Sequence, residues 1–248
     1  MIQHPKKLLI TTMDKENKLI NYYNEELKRN FFIFSSGSKK LDHQALDKRT
    51  YSDVFAEKFH VPPFEDYTPN SVLDLGSNIG LTMAHYRYLW PSAQIVGYEI
   101  DDDNIALSYA NTRGMRVHKA AITNFTSVAY KKEGSDQAYK VKYCFALLGR
   151  DLVSIPTRTL DEALNSMQTR DGIVDFVKMD IEGQELPVLT GPGAWPHRIR
   201  NLLVECHGIN DDDTERNTEI IKRALIYKGF NVKRHEPHWS ALFAWKNF

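Results

Sequence analysis

The densest grouping of chemically capable side chains lies in two short stretches of the 248-residue chain, VDFVKMDIEGQELPVLTG at 174–191 and NLLVECHG at 201–208. They contain Lys178, Asp180, Glu182 and Glu185, then Glu205 and His207. Each begins as an apolar strand (174–180 and 201–207) and runs into a polar turn. Two strands ending at one sheet edge would collect these groups there. Three or four oxygen ligands at such an edge can hold Mg²⁺ or a similar hard cation, with Asp180, Glu182 and Glu205 as the candidate ligands. Equally, Asp180 or His207 can accept the proton of a reacting hydroxyl. The plainer reading is that these carboxylates cap the helix near Gly183 and orient loops. Lys178 lies two residues before Asp180 and projects from the same strand face. A buried ammonium needs a partner; either Asp180 or Glu185 would serve, and a substrate contact is the alternative. Asp180 stands first among the catalytic candidates and His207 second, with Glu205 and Lys178 beside them.

A second constellation precedes these. Asp74-Leu75-Gly76-Ser77-Asn78-Ile79-Gly80 follows the apolar run SVLDLG (71–76) and leads into IGLTMAHYRYLW (79–90). A strand enters, glycine permits a tight turn, and a helix begins whose first N–H groups lack intrahelical partners. Glu99 follows Gly80 by 19 residues, at the end of the next strand, QIVGYEI (94–100). A carboxylate there can accept hydrogen bonds from both hydroxyls of a ribose. The spacing is neither that of G-x-G-x-x-G nor that of a P-loop, whose lysine is absent.

The elements that must position these groups alternate. A helix at 102–113 and a strand at 115–122 follow Glu99, and the less regular stretch 123–158 carries short strands in SVAYKK and LVSIPTR. Thr159 with Glu162 has capping-box spacing for a helix to about Met167, and Asp212 with Glu215 has it for a helix ending near Gly229. FNVKRHE (230–236) and SALFAWK (240–246) read as two strands too close in sequence to be parallel neighbours, so they form an antiparallel hairpin or sit apart. Strand–helix alternation predicts an α/β fold, a doubly wound mostly parallel sheet with an antiparallel C-terminal strand. Before it, 1–68 forms an N-terminal helical extension: Leu19, Ile20, Tyr22, Tyr23 and Leu27 recur at helical spacing, and Tyr51, Phe55 and Phe59 share one face as packing residues. The expected boundary falls between this extension (1–68), a cover for the ligand site, and the main domain (69–248).

Composition narrows the classes. Lys+Arg and Asp+Glu both number 32, which gives no support for a broad nucleic-acid or anionic-membrane surface. No apolar run approaches the ~18–20 residues of a spanning helix, and the opening run is too short for a secretory signal. Two cysteines, Cys144 and Cys206, are too few for a disulfide scaffold; Cys206 reads as a reduced core thiol, implying a cytoplasmic setting.

The Asp74–Gly80 and Glu99 segments resemble the first two motifs of class I S-adenosylmethionine-dependent methyltransferases. By that resemblance Gly76, Ser77, Asn78 and Gly80 wrap the methionine part of the cofactor, and Asp74 supports the loop. Glu99 holds the ribose, Ile100 lies against the adenine, and Ala120, Ala121 and Ile122 flank its edge; Asp180 reaches the cofactor as well as the acceptor. The segment 174–191, with SIPTRTLDEAL (154–164) before it and LLVECHG (202–208) after it, resembles the FkbM family of methyltransferases from about Ser71 to Gly208. The resemblance implies the seven-stranded, Rossmann-like methyltransferase sheet and methylation of a hydroxyl on a small molecule, natural product or sugar. Its alternatives are another acceptor, protein or nucleic acid, or cofactor binding without turnover. Nucleic-acid amino methyltransferases carry Pro-Pro-aromatic where this chain reads Asp180-Ile-Glu-Gly.

Overall fold

The computed structural model describes residues 18–35, 50–126, 128–130, 141–143, 153–236 and 238–247. Its N-terminal elements are β1 (Lys18–Asn24) and β2 (Arg29–Ser35), paired antiparallel from Lys18↔Ser35 to Asn24↔Arg29. This corrects the helix expected there. Phe31 and Ile33 are buried and Phe32 between them is half-buried, the period-2 alternation of a strand. The Asn24 side-chain oxygen closes the turn by accepting from Leu27 N at 2.8 Å, and Lys28 takes the left-handed conformation (φ 49°). Helical structure appears later in the segment, from Thr50 through the wide turn Asp53–Glu57. Residues 1–17 and 36–49 of the expected extension lie outside the described residues, as does Cys144.

From residue 71 the alternation is regular. In chain order come β3 (Ser71–Leu75), α1 (Leu81–Leu89), β4 (Gln94–Glu99), α2 (Asp102–Thr112), β5 (Arg116–Lys119) and β6 (Ala121–Ile122). Short strands follow, β7 (Val128–Tyr130), β8 (Val141–Tyr143), β9 (Val153–Ile155) and β10 (Thr157–Arg158), then α3 (Leu160–Leu164). The chain closes with β11 (Val174–Met179), α4 (Glu185–Thr190), β12 (Ile199–Glu205), α5 (Asp211–Tyr227), β13 (Asn231–Arg234) and β14 (Ala241–Trp245). The capping box at Thr159 is present, with both of its hydrogen bonds. At α5 the cap is Asn210, whose side chain accepts from Asp213 N, so the helix starts ahead of the Asp212–Glu215 pair expected to open it.

The central sheet has seven strands in the order β13-β14-β12-β11-β3-β4-β5. Strands β12, β11, β3, β4 and β5 run parallel, and β14 is antiparallel to both its neighbours. All five residues of β3 are buried, as a parallel strand covered on both faces requires. Leu73, Leu75, Val177 and Met179 pack into one core layer; Val72, Ile95, Phe176 and Phe243 pack into the other. A third cluster joins Phe31, Ile33, Val54 and Phe55 to Ile79, Leu81 and Leu107, which docks the N-terminal hairpin on α1 and α2. Asn111 fixes the contact, accepting from Phe32 N at 2.8 Å and donating to Phe32 O at 2.9 Å. Strand order reverses between β3 and β11, which leaves a crevice beyond their carboxyl ends.

Candidate active site

That crevice is a cleft of about 260 Å³. Gly76, Ser77, Asn78, Ile79, Leu81 and Thr82 line one side, with Tyr98, Glu99, Ile100 and Ala120–Ile122 beyond them. Lys178, Asp180, Ile181, Glu182, Gln184 and Glu205 line the other. Thr50, Asp53, Val54 and Phe59 from the N-terminal segment and His238 from the C-terminal turn complete the wall.

The glycine loop is held by the sheet. Gly76 N and Ser77 N both donate to Tyr98 O at 2.9 Å, which bridges the ends of β3 and β4. Gly76 has φ 80°, and a Cβ there would overlap the carbonyl oxygen of Asp180, so only glycine fits between the loop and β11. Beneath the loop the fully buried Asp74 accepts from the Thr82 hydroxyl and lies 3.5 Å from Lys178 Nζ. Burial raises the Asp74 carboxyl, and Lys178 opposes that rise. Helix α1 begins at Gly80 with no side-chain cap, and the buried hydroxyl of Ser77 has no hydrogen-bond partner among the described residues. Glu99 is only 6% exposed. Its Oε1 accepts from Ile100 N (2.7 Å) and Asp101 N (2.9 Å), and its Oε2 accepts from Asn78 N (2.8 Å). Burial pushes this carboxyl up to about 7 against the lowering pull of those three N–H groups. A carboxylate offers about four acceptor positions, so one remains, on Oε2.

The opposite end is rich in carboxylates. Asp180 Oδ2 lies 3.2 Å from Lys178 Nζ, which also donates to Gly76 O at 3.0 Å. Burial alone would raise the Asp180 carboxyl, but Lys178 and His207 hold it below its usual value. Glu185 is fully buried and accepts from Ile181 N (2.8 Å) and Gly183 N (2.9 Å), with His207 Nδ1 at 3.1 Å. His207 Nε2 faces Glu205 (3.7 Å), Asp180 (3.8 Å) and Glu182 (3.9 Å). Burial would lower His207, yet Glu185, Asp180 and Glu182 raise it to about 11, so it is an imidazolium at neutral pH. Burial and then the charge of Asp180 raise Glu182 to about 8 and Glu205 to about 7.

Of the two expected partners Lys178 pairs with Asp180 and, among the described residues, not with Glu185; it pairs with Asp74 as well. The loop residues Gly76, Ser77 and Asn78, with Glu99, Ile100 and Ala121, face one cleft together with Asp180, Glu182, Glu205 and Lys178. Asp74, Gly80 and His207 are absent from the cleft lining; Asp74 lies beneath the loop and Gly80 starts the helix that follows it. Raised in this way and engaged at Nδ1 by Glu185, His207 favours holding its proton over accepting one. The expected metal group was Asp180, Glu182 and Glu205. The compact group among the described residues is instead Asp180, Glu185 and His207, with ligand atoms within 4.8 Å of one another. In that group Glu185 already accepts from two N–H groups, at 2.8 and 2.9 Å. Sequence reading missed His238, which the return of β14 to the sheet carries to the cleft. It also missed Glu185 as the anchor of His207; its spacing from Asp180 was the only local signal.

A glycine loop and a strand-end carboxylate at the switch point of this sheet define a nucleotide-binding α/β protein of the class I methyltransferase arrangement. The chain belongs to the methyltransferase FkbM domain family, whose model matches residues 74–232. It is a class I S-adenosylmethionine-dependent methyltransferase. No curated protein matches the sequence. Among solved structures it resembles the fibrillarin pre-rRNA processing protein of Methanococcus jannaschii (9% identity, 96% of this chain and 87% of that one, TM-score 0.47). It also resembles precorrin-6y C5,15-methyltransferase from Geobacter metallireducens (13%, 85% and 93%, 0.41). A third likeness is to human N-acetylserotonin methyltransferase in complex with S-adenosylmethionine (10%, 83% and 56%, 0.45). At these scores the likenesses carry no argument about the acceptor.

Proposed function

We propose that the chain transfers the methyl group of S-adenosylmethionine to a hydroxyl oxygen of a small molecule, natural product or sugar. One observation carries this reading. A single cleft joins the glycine loop and Glu99 on one flank of the switch point to Asp180, Glu182 and Glu205 on the other. The cofactor half suits the donor. Backbone of Gly76–Gly80 wraps the methionine part, with the unpartnered Ser77 hydroxyl available to it. The open position on Glu99 Oε2 accepts a ribose hydroxyl, and Ile100, Ala120, Ala121 and Ile122 flank the adenine. The donor supplies an already activated methyl group, so the protein mainly has to align the acceptor oxygen, worth ~7–11 kcal/mol. Asp180, held in place by Lys178, contacts and orients the acceptor. Residues 1–68 act as the cover of the acceptor site, in keeping with Thr50, Asp53, Val54 and Phe59 on the cleft wall. Among the described residues no helix is long and apolar enough to cross a membrane, and Cys206 is a free buried thiol; a cytoplasmic setting suits both.

The test has two arms. Calorimetric titration should give S-adenosylhomocysteine binding and no NADH binding. Labelled methyl transfer is then read on a panel of methyl glycosides of hexoses and deoxyhexoses and of hydroxylated macrolactones, with the methylated atom mapped by NMR. Methyl on nitrogen or carbon, or cofactor binding with no transfer to any panel member, would overturn the proposal.

A further inference from the structure

We infer that Glu205 takes the acceptor's hydroxyl proton and that His238 is the positioning residue holding Glu205 for that task. The inference rests on the O-methyltransferase reading above. Of the four carboxylates at the acidic end, two are committed. Asp180 is paired with Lys178, and Glu185 is held by Ile181 N, Gly183 N and His207. Glu182 stands on a turn residue with φ 54° and has its nearest basic nitrogen, His207 Nε2, 3.9 Å away. Glu205 is different. It ends β12, where pairing with Ala241 of β14 fixes its backbone, and it lines the cleft. Its carboxylate accepts no hydrogen bond among the described residues. Two imidazole nitrogens converge on the same oxygen, Oε1: His238 Nε2 at 3.5 Å and His207 Nε2 at 3.7 Å. Oε2 is left for the acceptor.

His238 is held from several sides. Its Nδ1 meets Ser240 Oγ at 3.1 Å, and Ser240 is itself tied to the residue after Glu205 by Cys206 N donating to Ser240 O at 3.0 Å. With the Ser240 hydroxyl donating to Nδ1, the ring hydrogen sits on Nε2 and faces Glu205, the tautomer these two partners select. The turn is closed by His238 N donating to His235 O and by Ala241 N donating to His238 O. The Phe59 ring lies 5.9 Å from His238, and Phe59 O lies 2.5 Å from His235 Nε2. The N-terminal segment thus steadies the turn that steadies Glu205.

The step balances without a further reactant. The hydroxyl oxygen bonds to the methyl carbon as the carbon–sulfur bond breaks and leaves its electron pair on sulfur. The hydroxyl proton passes to Glu205 Oε2. The products are a methyl ether, a neutral thioether and a neutral Glu205 carboxyl. Glu205 faces Asp180, Glu182, Glu185, His207, Lys178 and His238, and its burial places its ionisation near neutrality, where a base works with most effect.

Turnover on whichever panel member the wild-type chain methylates provides the test. Its kcat should rise with pH through the ionisation of Glu205. Glu205→Gln should lower kcat by ~10²–10⁴-fold while S-adenosylhomocysteine affinity stays within about threefold. His238→Ala removes the ring N–H that faces the ionised carboxylate from 3.5 Å, so the rising limb should move up by about one pH unit. His238→Gln keeps an N–H donor and should return the limb towards wild type. Equal adenosylhomocysteine affinity certifies the fold of each variant, and the His238 pair carries the test should Glu205→Gln misfold. Glu205→Gln with kcat within about tenfold of wild type, or an unmoved limb in His238→Ala, overturns this inference alone. Wild-type protein that transfers no methyl to any panel member sinks the O-methyltransferase reading and this inference with it.

Discussion

Lys178 donates its ammonium hydrogen to the carbonyl oxygen of Gly76 at 3.0 Å, so a side chain of β11 supports the loop that leaves β3. The same nitrogen lies 3.2 Å from Asp180 and 3.5 Å from Asp74. Burial would lower this ammonium's pKa, but Asp180, Asp74 and Glu205 raise it, and it stays charged. One cation therefore ties the glycine loop to the first acidic residue of the opposite wall.

Lys178→Met should be costly on two counts. It leaves Asp74 and Asp180 without their shared counter-charge, a loss of about 3–5 kcal/mol for a buried pair. It also frees the Gly76 carbonyl, so adenosylhomocysteine affinity should fall together with the melting temperature. Calorimetry and thermal denaturation read the two effects; a variant that melts like wild type and binds as tightly would refute the tie.

Gly76→Ala tests the close approach itself. The added methyl would occupy the place of the Asp180 carbonyl oxygen, and φ 80° disfavours any residue with a Cβ. The loop must move, so cofactor binding should be lost even in protein that still folds. Gly183→Ala serves as the control: its φ is 100°, yet no atom of the described residues lies within 4 Å of the added one. It should carry only the backbone strain, about 1 kcal/mol. Similar adenosylhomocysteine affinities for the two variants would mean that the Gly76 contact is unimportant.

What was legible in the sequence were features whose signal is local. Asp74–Gly80 is a strand, turn and helix start within seven residues, and Glu99 ends the next strand, so spacing alone placed them at one edge. The 18–35 hairpin was misread because Leu19, Ile20, Tyr22, Tyr23 and Leu27 also fit helical spacing and the turn at Glu25–Lys28 has neither glycine nor proline. At α5, Asn210 and three aspartates stand in a row, each able to cap, and spacing could not choose among them. His238 had no local signal. It reaches the cleft only because β14 inserts between β13 and β12, a pairing decided by the whole sheet.

Chelation should leave transfer intact. His207 already contributes a positive charge to Asp180, Glu182, Glu185 and Glu205, the place a cation would take. Initial rates on a methylated panel member should be the same with and without EDTA. A rate abolished by EDTA and restored by Mg²⁺ would show that the acidic end needs an ion after all.

The same imidazolium makes stability depend on pH in a definite direction. His207 titrates near 11 in the folded chain against an ordinary value of 6.5. A raised pKa means that the folded state binds the proton more tightly. The stabilisation is complete below 6.5 and is lost as pH climbs through 11. Glu182 and Glu205, raised to about 8 and about 7, act in the same sense over the lower part of that range, because their buried charged forms are disfavoured. The melting temperature should therefore decline steadily from mildly acidic to strongly basic pH. His207→Gln removes the cation from its carboxylates and should cost about 3 kcal/mol near pH 6, the low end for a buried pair because the side chain is partly exposed. That deficit should shrink towards zero as wild-type His207 itself loses its proton. Melting curves of the two proteins recorded across this range should converge at high pH; curves that stay parallel would mean that His207 carries no charge in the folded chain.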